Sequence, residues 1–153
     1  MSKRGKILLV IALVLFAIQL VPVPRENPPV TAAIQAPDEV RSLLETSCYD
    51  CHSHETVWPW YSQVAPVSWL VYRDVRKARD ELNFSLWGEY TDRRRDHKLE
   101  EIDEKVSEGE MPLKIYLPLH PDARLSDADR QTLIDWARTE RAAIPSAASL
   151  EEE

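Results

Sequence analysis

The pattern of apolar and polar positions predicts one continuous apolar segment at the N-terminus. Residues 7–18 are all apolar, and the run continues over residues 7–24, which are 18 residues with Gln19 as the only polar member. This length is at the short limit of a segment that crosses the roughly 30 Å hydrocarbon layer of a bilayer. Residues 1–6 precede the run and contain the bases Lys3, Arg4 and Lys6. We therefore expect a transmembrane anchor with a cytoplasmic N-terminus or a cleaved signal segment. The run ends in prolines without a small-residue cleavage site, which favours the anchor.

The next segment, residues 25–36, is rich in proline and shows neither helical nor strand periodicity. This composition is typical of a stiff, extended linker between a bilayer and a domain. We therefore expect the domain at residues 37–145, and a flexible acidic tail at residues 146–153.

Four stretches of the domain have apolar residues at helical spacing. The first covers residues 37–48, the second follows Pro66, and the third runs from about 94 to 108, where Gly109 can take the left-handed position that ends a helix. The fourth begins at Ser126, whose hydroxyl can cap the helix N-terminus. Because no stretch alternates with period two, the sequence predicts an all-α domain.

Composition and charge exclude two classes of function. Only 3 glycines are present, so the chain has no glycine-rich phosphate loop and is not a nucleotide-binding α/β enzyme. Acidic residues outnumber Lys and Arg by 26 to 19, and three of the bases lie in the first six residues. A domain this acidic should bind no nucleic acid, and its protein partners should present basic surfaces.

Both cysteines of the chain occur in one short motif, Cys48-Tyr49-Asp50-Cys51-His52. On a turn of helix, residues three apart project from the same side, which is the spacing that bonds the two vinyl groups of one haem. His52 then follows directly, where its imidazole can take an axial position on the iron. The motif predicts a covalently attached haem c.

Three other interpretations of these residues are less favourable. A disulfide between Cys48 and Cys51 closes a very short loop and adds little stability. A thioredoxin-type motif needs a preceding strand, whereas this motif follows an amphipathic helix. A zinc site could use His52 and His54 with the cysteines, but the set lacks the long separation between ligand pairs that is usual in zinc fingers.

The other side of the iron needs a second ligand, for which Met111 is the first candidate. It follows a helix end, in Gly109-Glu110-Met111-Pro112, and a thioether ligand leaves no open position for substrate. The alternative is a methionine that fills a gap in the core. His120 is the rival ligand, or a partner for a haem propionate, since it also lies on a loop. His97 lies in a charged stretch that is expected to be solvated.

Aromatic residues are dense after the motif, and we expect Trp58, Trp60 and Tyr61 to contribute to the wall of the haem site. An ordinary small-domain core accounts for such residues equally well. The same stretch also contains Trp69, Tyr72, Phe84 and Trp87.

Six blocks of sequence resemble, in order, the bacterial haem-binding domain family of small membrane-anchored monohaem c-type cytochromes. The blocks are CYDCHS at 48–53, WPWYS at 58–62, APVSW at 65–69, LNFS at 82–85, GEMP at 109–112 and HPDARLS at 120–126. The resemblance implies a cytochrome-c-like helical domain around one haem. It also implies attachment at Cys48 and Cys51, with His52 as the proximal ligand and Met111 as the distal ligand.

We therefore expect a tethered electron carrier, not an enzyme, that faces the periplasm from a bacterial inner membrane and exchanges single electrons with a redox partner protein. Two alternatives remain open. A haem-based gas or redox sensor, or a peroxidase-like enzyme, needs a labile sixth ligand. A scaffold protein would use the haem only to stabilise the fold.

Overall fold

The computed structural model describes residues 2–145, and the tail predicted at 146–153 lies outside them. Six α-helices follow in chain order: α1 Lys3–Gln19, α2 Asp38–Ser47, α3 Tyr49–His52, α4 Val67–Glu81, α5 Asp92–Ser107 and α6 Asp127–Ala143. Three short 3₁₀ turns connect them, at Trp60–Gln63, Phe84–Glu89 and Pro121–Ala123. Since residues 2–145 contain no strand, the predicted all-α class is confirmed.

The N-terminal apolar segment forms α1, which is shorter than the predicted span. The helix has 17 residues and ends at Gln19 instead of continuing to residue 24. Its apolar side chains are exposed on all sides, and none is buried. Within residues 2–145, no helix has both the length and the apolar character needed to cross a membrane. The transmembrane helix expected over residues 7–24 is therefore not supported by the structure.

The ends of α5 and α6 follow local signals in the sequence. Gly109 has a φ of 67° after the last turn of α5, in the left-handed region that favours glycine. At the start of α6, the Ser126 hydroxyl accepts a hydrogen bond from the Asp129 backbone N–H, and the Asp129 carboxylate accepts one from the Ser126 N–H. This reciprocal capping box begins the helix where the sequence predicted it.

The hydrophobic core lies mainly between α5 and α6, which pack along each other, and α2 packs against α6. The aromatic residue Phe84, which is 1% exposed, lies in this core and contacts Tyr49 and His52 of the Cys-His motif. The other core side chains from these helices are Val40 and Leu44 in α2, Leu99, Ile102 and Val106 in α5, and Leu133, Ile134, Trp136 and Ala137 in α6.

Helix α4 packs against α3 and the turn at Trp60–Gln63 rather than against α5 and α6. Its predicted apolar face is therefore buried only in part. Val75 is buried, whereas Val67 is 43% and Leu70 is 39% exposed.

The proline-rich residues 25–36 form no helix or strand, but they pack against the domain instead of spanning a gap. Ile34 is buried, and its N–H donates to the Phe84 carbonyl at 2.9 Å. Gly88 donates its N–H to the Ala32 carbonyl at 2.8 Å. A Cβ at position 88 would lie 2.9 Å from the Ala32 Cβ, so only glycine permits this approach. We call residues 25–36 the strap.

Candidate functional site

The Cys-His motif occupies the junction of α2 and α3. Cys48 is the residue between the two helices, and its carbonyl accepts hydrogen bonds from the N–H groups of Cys51 at 3.1 Å and His52 at 2.9 Å. These bonds wind the motif into one helical turn. The structure therefore brings Cys48, Cys51 and His52 together as the sequence predicted.

The two cysteines are free thiols rather than a disulfide. Burial is the main cause that raises the pKa of Cys48 to about 12, and the charge of a neighbouring Cys51 thiolate is the second cause. Burial and the Asp50 carboxylate raise the pKa of Cys51 to about 11. Both groups therefore remain protonated at neutral pH, whereas a redox nucleophile of the thioredoxin type needs a thiolate.

The imidazole of His52 is oriented by the C-terminal end of α4. Its Nδ1 atom lies 3.2 Å from the Ala78 carbonyl oxygen and 3.1 Å from the Leu82 carbonyl oxygen. Carbonyl oxygens only accept hydrogen bonds, so Nδ1 carries the proton and donates to both, and Nε2 keeps its lone pair. Burial lowers the pKa of His52, and this effect exceeds the opposite effect of the two hydrogen bonds. The result is a neutral imidazole in the tautomer that can bind a metal through Nε2.

Phe84 supports this imidazole from one side. Its ring contacts the edge of the His52 ring at a centroid distance of 6.3 Å and stacks on the Tyr49 ring at 5.5 Å. The sequence placed Phe84 among the aromatic residues after the motif, but it contains no signal that this side chain contacts His52.

His54 has a structural role, as a link between the strap and the segment before the Phe84 turn. Its Nδ1 donates to the Pro29 carbonyl in the strap at 2.8 Å, and its Nε2 accepts from the Asn83 amide at 2.8 Å. Because both ring nitrogens are engaged, His54 is not available as a zinc ligand. Residues 2–145 also contain no group of three or more His, Cys, Asp or Glu side chains that could hold a metal ion.

Arg79 joins the segment after the motif to the strap. Its guanidinium donates to the Ser53 carbonyl at 2.7 Å, the Thr56 hydroxyl at 2.9 Å, the Asn27 side-chain oxygen at 2.9 Å and the Glu26 carbonyl at 3.1 Å. Arg79 was not among the predicted site residues. It lies in a charged helix where no local pattern distinguishes it from its neighbours.

The loop that contains Met111 begins directly after α5. The Met111 N–H donates to the Lys105 carbonyl at 3.1 Å, which fixes the backbone just beyond the helix end. Met111 itself is half-buried. The helix end that the sequence predicted therefore sets the start of the candidate ligand loop.

His120 lies in a cluster with two tyrosines. Its Nε2 shares a 2.6 Å hydrogen bond with the Tyr61 hydroxyl. Its ring stacks on the Tyr116 ring, with 3.9 Å between the ring centroids. The Tyr116 hydroxyl donates to the Asp50 carboxylate at 2.6 Å, within the Cys-His motif. Burial and then this hydrogen bond raise the pKa of Tyr116, so its hydroxyl stays protonated. Neither Tyr116 nor Asp50 was predicted as a site residue.

The two tryptophans predicted for the haem wall have different surroundings. Trp60 is 74% exposed and contacts the Tyr61 ring edge-on at 5.8 Å. Trp58 lines a cavity of about 410 Å³ together with His54 and Arg79, and its buried Nε1 has no hydrogen-bond partner among the described residues. Of the predicted aromatic wall, Tyr61 is the residue that bonds directly to another predicted site residue.

The residues of the motif fit a haem group. Two protonated thiols lie on one turn of helix, and the neighbouring imidazole is neutral with Nε2 unprotonated, which is the form that binds haem iron. The family model described as "Haem-binding domain" matches residues 13–139. No curated protein and no solved structure shows a significant match to the chain. The family match covers most of the chain, and the chain belongs to the haem-binding domain family.

Proposed function

We propose that this chain is a monohaem c-type cytochrome that carries single electrons. Cys48 and Cys51 would hold the haem through thioether bonds, and His52 would be the proximal ligand of its iron. The observation that carries the proposal is the donation from His52 Nδ1 to the Ala78 and Leu82 carbonyls. These hydrogen bonds support an imidazole of His52 that can bind iron through Nε2 without losing or moving a proton.

In this function the protein orients the imidazole of His52 and excludes water from it. A bound haem supplies the one-electron redox chemistry of its iron. The carbonyls at the end of α4 keep the proton of His52 on Nδ1, and the Phe84 ring, which stacks on Tyr49, lies against the imidazole. Because these groups are fixed before binding, little reorganisation accompanies a change in charge at the site.

We assign Met111 as the distal ligand and His120 as a structural residue. The support for this choice is that His120 Nε2 is engaged by Tyr61 and its ring is stacked on Tyr116. Met111 lies on a loop whose start is fixed by the end of α5. A haem held by both His52 and Met111 would offer no site for a substrate, which favours a carrier over an enzyme.

We also propose that the domain works on the periplasmic side of a bacterial inner membrane, to which the N-terminal segment attaches it. The support is the exposed apolar surface of α1 on all its sides, next to the bases Lys3, Arg4 and Lys6. A reporter fused after Glu153 that is active only in the periplasm is the expected result. A reporter active only in the cytoplasm would contradict this location.

The test of the cofactor is covalent retention of haem in a host that has the haem-attachment machinery. The wild-type chain should keep haem stain on a denaturing gel, and its reduced spectrum should be that of a low-spin c-type haem. Cys48→Ala combined with Cys51→Ala should lose the stain, whereas either single variant should keep one thioether. A wild-type chain purified without covalent haem from this host would overturn the proposal, and a high-spin spectrum would favour the sensor or peroxidase alternative.

A further inference from the structure

A hydrogen bond joins the Cys-His motif to the loop that follows Met111. The Tyr116 hydroxyl donates to Asp50 Oδ2 at 2.6 Å, across 66 positions of sequence. The other carboxylate oxygen, Oδ1, accepts from the Val57 N–H at 2.9 Å. Asp50 is therefore held by the backbone after the motif, and it presents its second oxygen to Tyr116 as a fixed, charged acceptor.

The segment around Tyr116 is itself well defined. Its N–H donates to the Leu113 carbonyl at 2.9 Å, and the His120 N–H donates to the Leu117 carbonyl at 3.2 Å. The Tyr116 and His120 rings are nearly parallel, with 8° between their planes. The hydrogen bond between His120 and Tyr61 then fixes the far end of the segment. Residues 113–120 thus form a folded loop with two anchors, one at Tyr116 and one at His120.

We propose that the Tyr116–Asp50 hydrogen bond is a positioning contact that holds the Met111 loop against the haem motif and so keeps the sixth position of the iron closed. The inference rests on the proposed function. Tyr116 is five residues after Met111, so an anchor at Tyr116 limits the conformations available to the ligand residue. Its acceptor is next to Cys51, so the loop is fixed relative to the haem attachment site itself rather than to a distant part of the domain.

The experiment uses the holoprotein and compares Tyr116→Phe with wild type. Loss of one hydrogen bond to a charged acceptor should raise the population of open loop about tenfold. The expected results are faster carbon monoxide binding by about that factor, a weaker sulfur-to-iron charge-transfer band, and faster amide hydrogen exchange in residues 113–120. Covalent haem should be retained in full, because both cysteines are unchanged.

Three further variants make the result specific. Tyr72→Phe, the same change on α4, should behave as wild type. Asp50→Ala removes the acceptor of the same hydrogen bond and should have the effect expected of Tyr116→Phe. It therefore serves as the test if Tyr116→Phe does not fold. The combination of Asp50→Ala and Tyr116→Phe should have no greater effect on carbon monoxide binding than the stronger single change, since both remove the same bond.

Met111→Ala separates failure of this inference from failure of the proposed function. If Met111→Ala removes the band but Tyr116→Phe leaves the band, carbon monoxide binding and exchange unchanged, the positioning role is wrong and the cytochrome stands. If Met111→Ala leaves the spectrum unchanged, the distal-ligand assignment is wrong, and the positioning role is overturned with it.

Discussion

The carbonyl oxygen of Leu82 lies 3.1 Å from the Nδ1 atom of His52, so the end of α4 determines which nitrogen of this imidazole carries the proton. The last carbonyls of any helix lack partners within the helix. Here His52 supplies a donor to the carbonyl of Leu82, which caps the helix, and shares the Ala78 carbonyl with the Leu82 N–H, and the imidazole is itself oriented by these bonds. The position at which α4 ends, Glu81, therefore also determines the tautomer of His52.

The two candidate distal ligands should respond differently to truncation. Met111→Ala should lower the reduction potential of the haem, since a thioether ligand raises it. His120→Ala should leave the sulfur-to-iron band in place, because Tyr116 keeps its bond to Asp50. Redox titration with spectral detection measures both effects. A band that disappears in His120→Ala and persists in Met111→Ala would reverse the assignment.

The stability of the haem-free chain should decrease in mild acid. Burial lowers the pKa of His52 below its value of 6.5 in the unfolded chain. Between these two values the unfolded state binds more protons than the folded state, so the free energy of unfolding falls as the pH decreases below about 6.5, by at most about 1.4 kcal/mol per pH unit.

Urea denaturation between pH 7.5 and pH 5, a range of roughly two and a half units around the unfolded pKa, measures this dependence. His52→Asn should remove the contribution of the imidazole, whereas the exposed His97→Gln should keep it. If the free energy of unfolding depends on pH identically in wild type and His52→Asn, His52 is not the group responsible for the loss of stability in acid.

Arg79→Ala should destabilise the domain, because the guanidinium joins the strap to the segment after the motif through four hydrogen bonds. A loss of about 2 kcal/mol in the free energy of unfolding is expected for a donor group of this kind. Arg76→Ala, an exposed arginine one turn earlier on α4, is the control. Equal stability of the two variants would mean that the strap contributes nothing through Arg79.

Ser126→Ala should lower the free energy of unfolding by about 1 kcal/mol, the usual value of a helix N-cap. The serine hydroxyl accepts from the Asp129 N–H, and hydrogen bonding with Ser126, through its side chain first and its backbone N–H second, lowers the pKa of the Asp129 carboxyl. Ser107→Ala, which removes a hydroxyl from the last turn of α5, should have a smaller effect. Thermal unfolding of the two variants and wild type provides the comparison.

The features that the sequence predicted well are those encoded by neighbouring residues. Gly109 and Ser126 set helix ends through bonds within a few positions, and the spacing from Cys48 to His52 sets a turn of helix. The all-α class followed from the periodicity of such segments. The haem family followed from six blocks that each span a few residues.

The features that could not be predicted depend on contacts between distant residues. Tyr116 and Asp50 are 66 positions apart, and His54 and Pro29 are 25 apart, so no local pattern marks either pair. The end of the N-terminal apolar segment was also a poor guide to the end of α1, because hydropathy continues to residue 24 whereas the helix begins at Lys3 and ends at Gln19. The composition of a segment indicates its polarity more directly than it indicates its backbone conformation.

The strap has a consequence for how the chain can be altered. Pro29, Ala32 and Ile34 each pair with a separate partner on the domain, at His54, Gly88 and Phe84. Inserting or deleting a residue between them shifts at least one pair out of register, so the length of this segment is constrained even though it has no regular secondary structure. A shortened version for biochemical work should accordingly begin before residue 25, since one that begins at residue 37 would expose the backbone groups of Phe84 and Ser85 that the strap now covers.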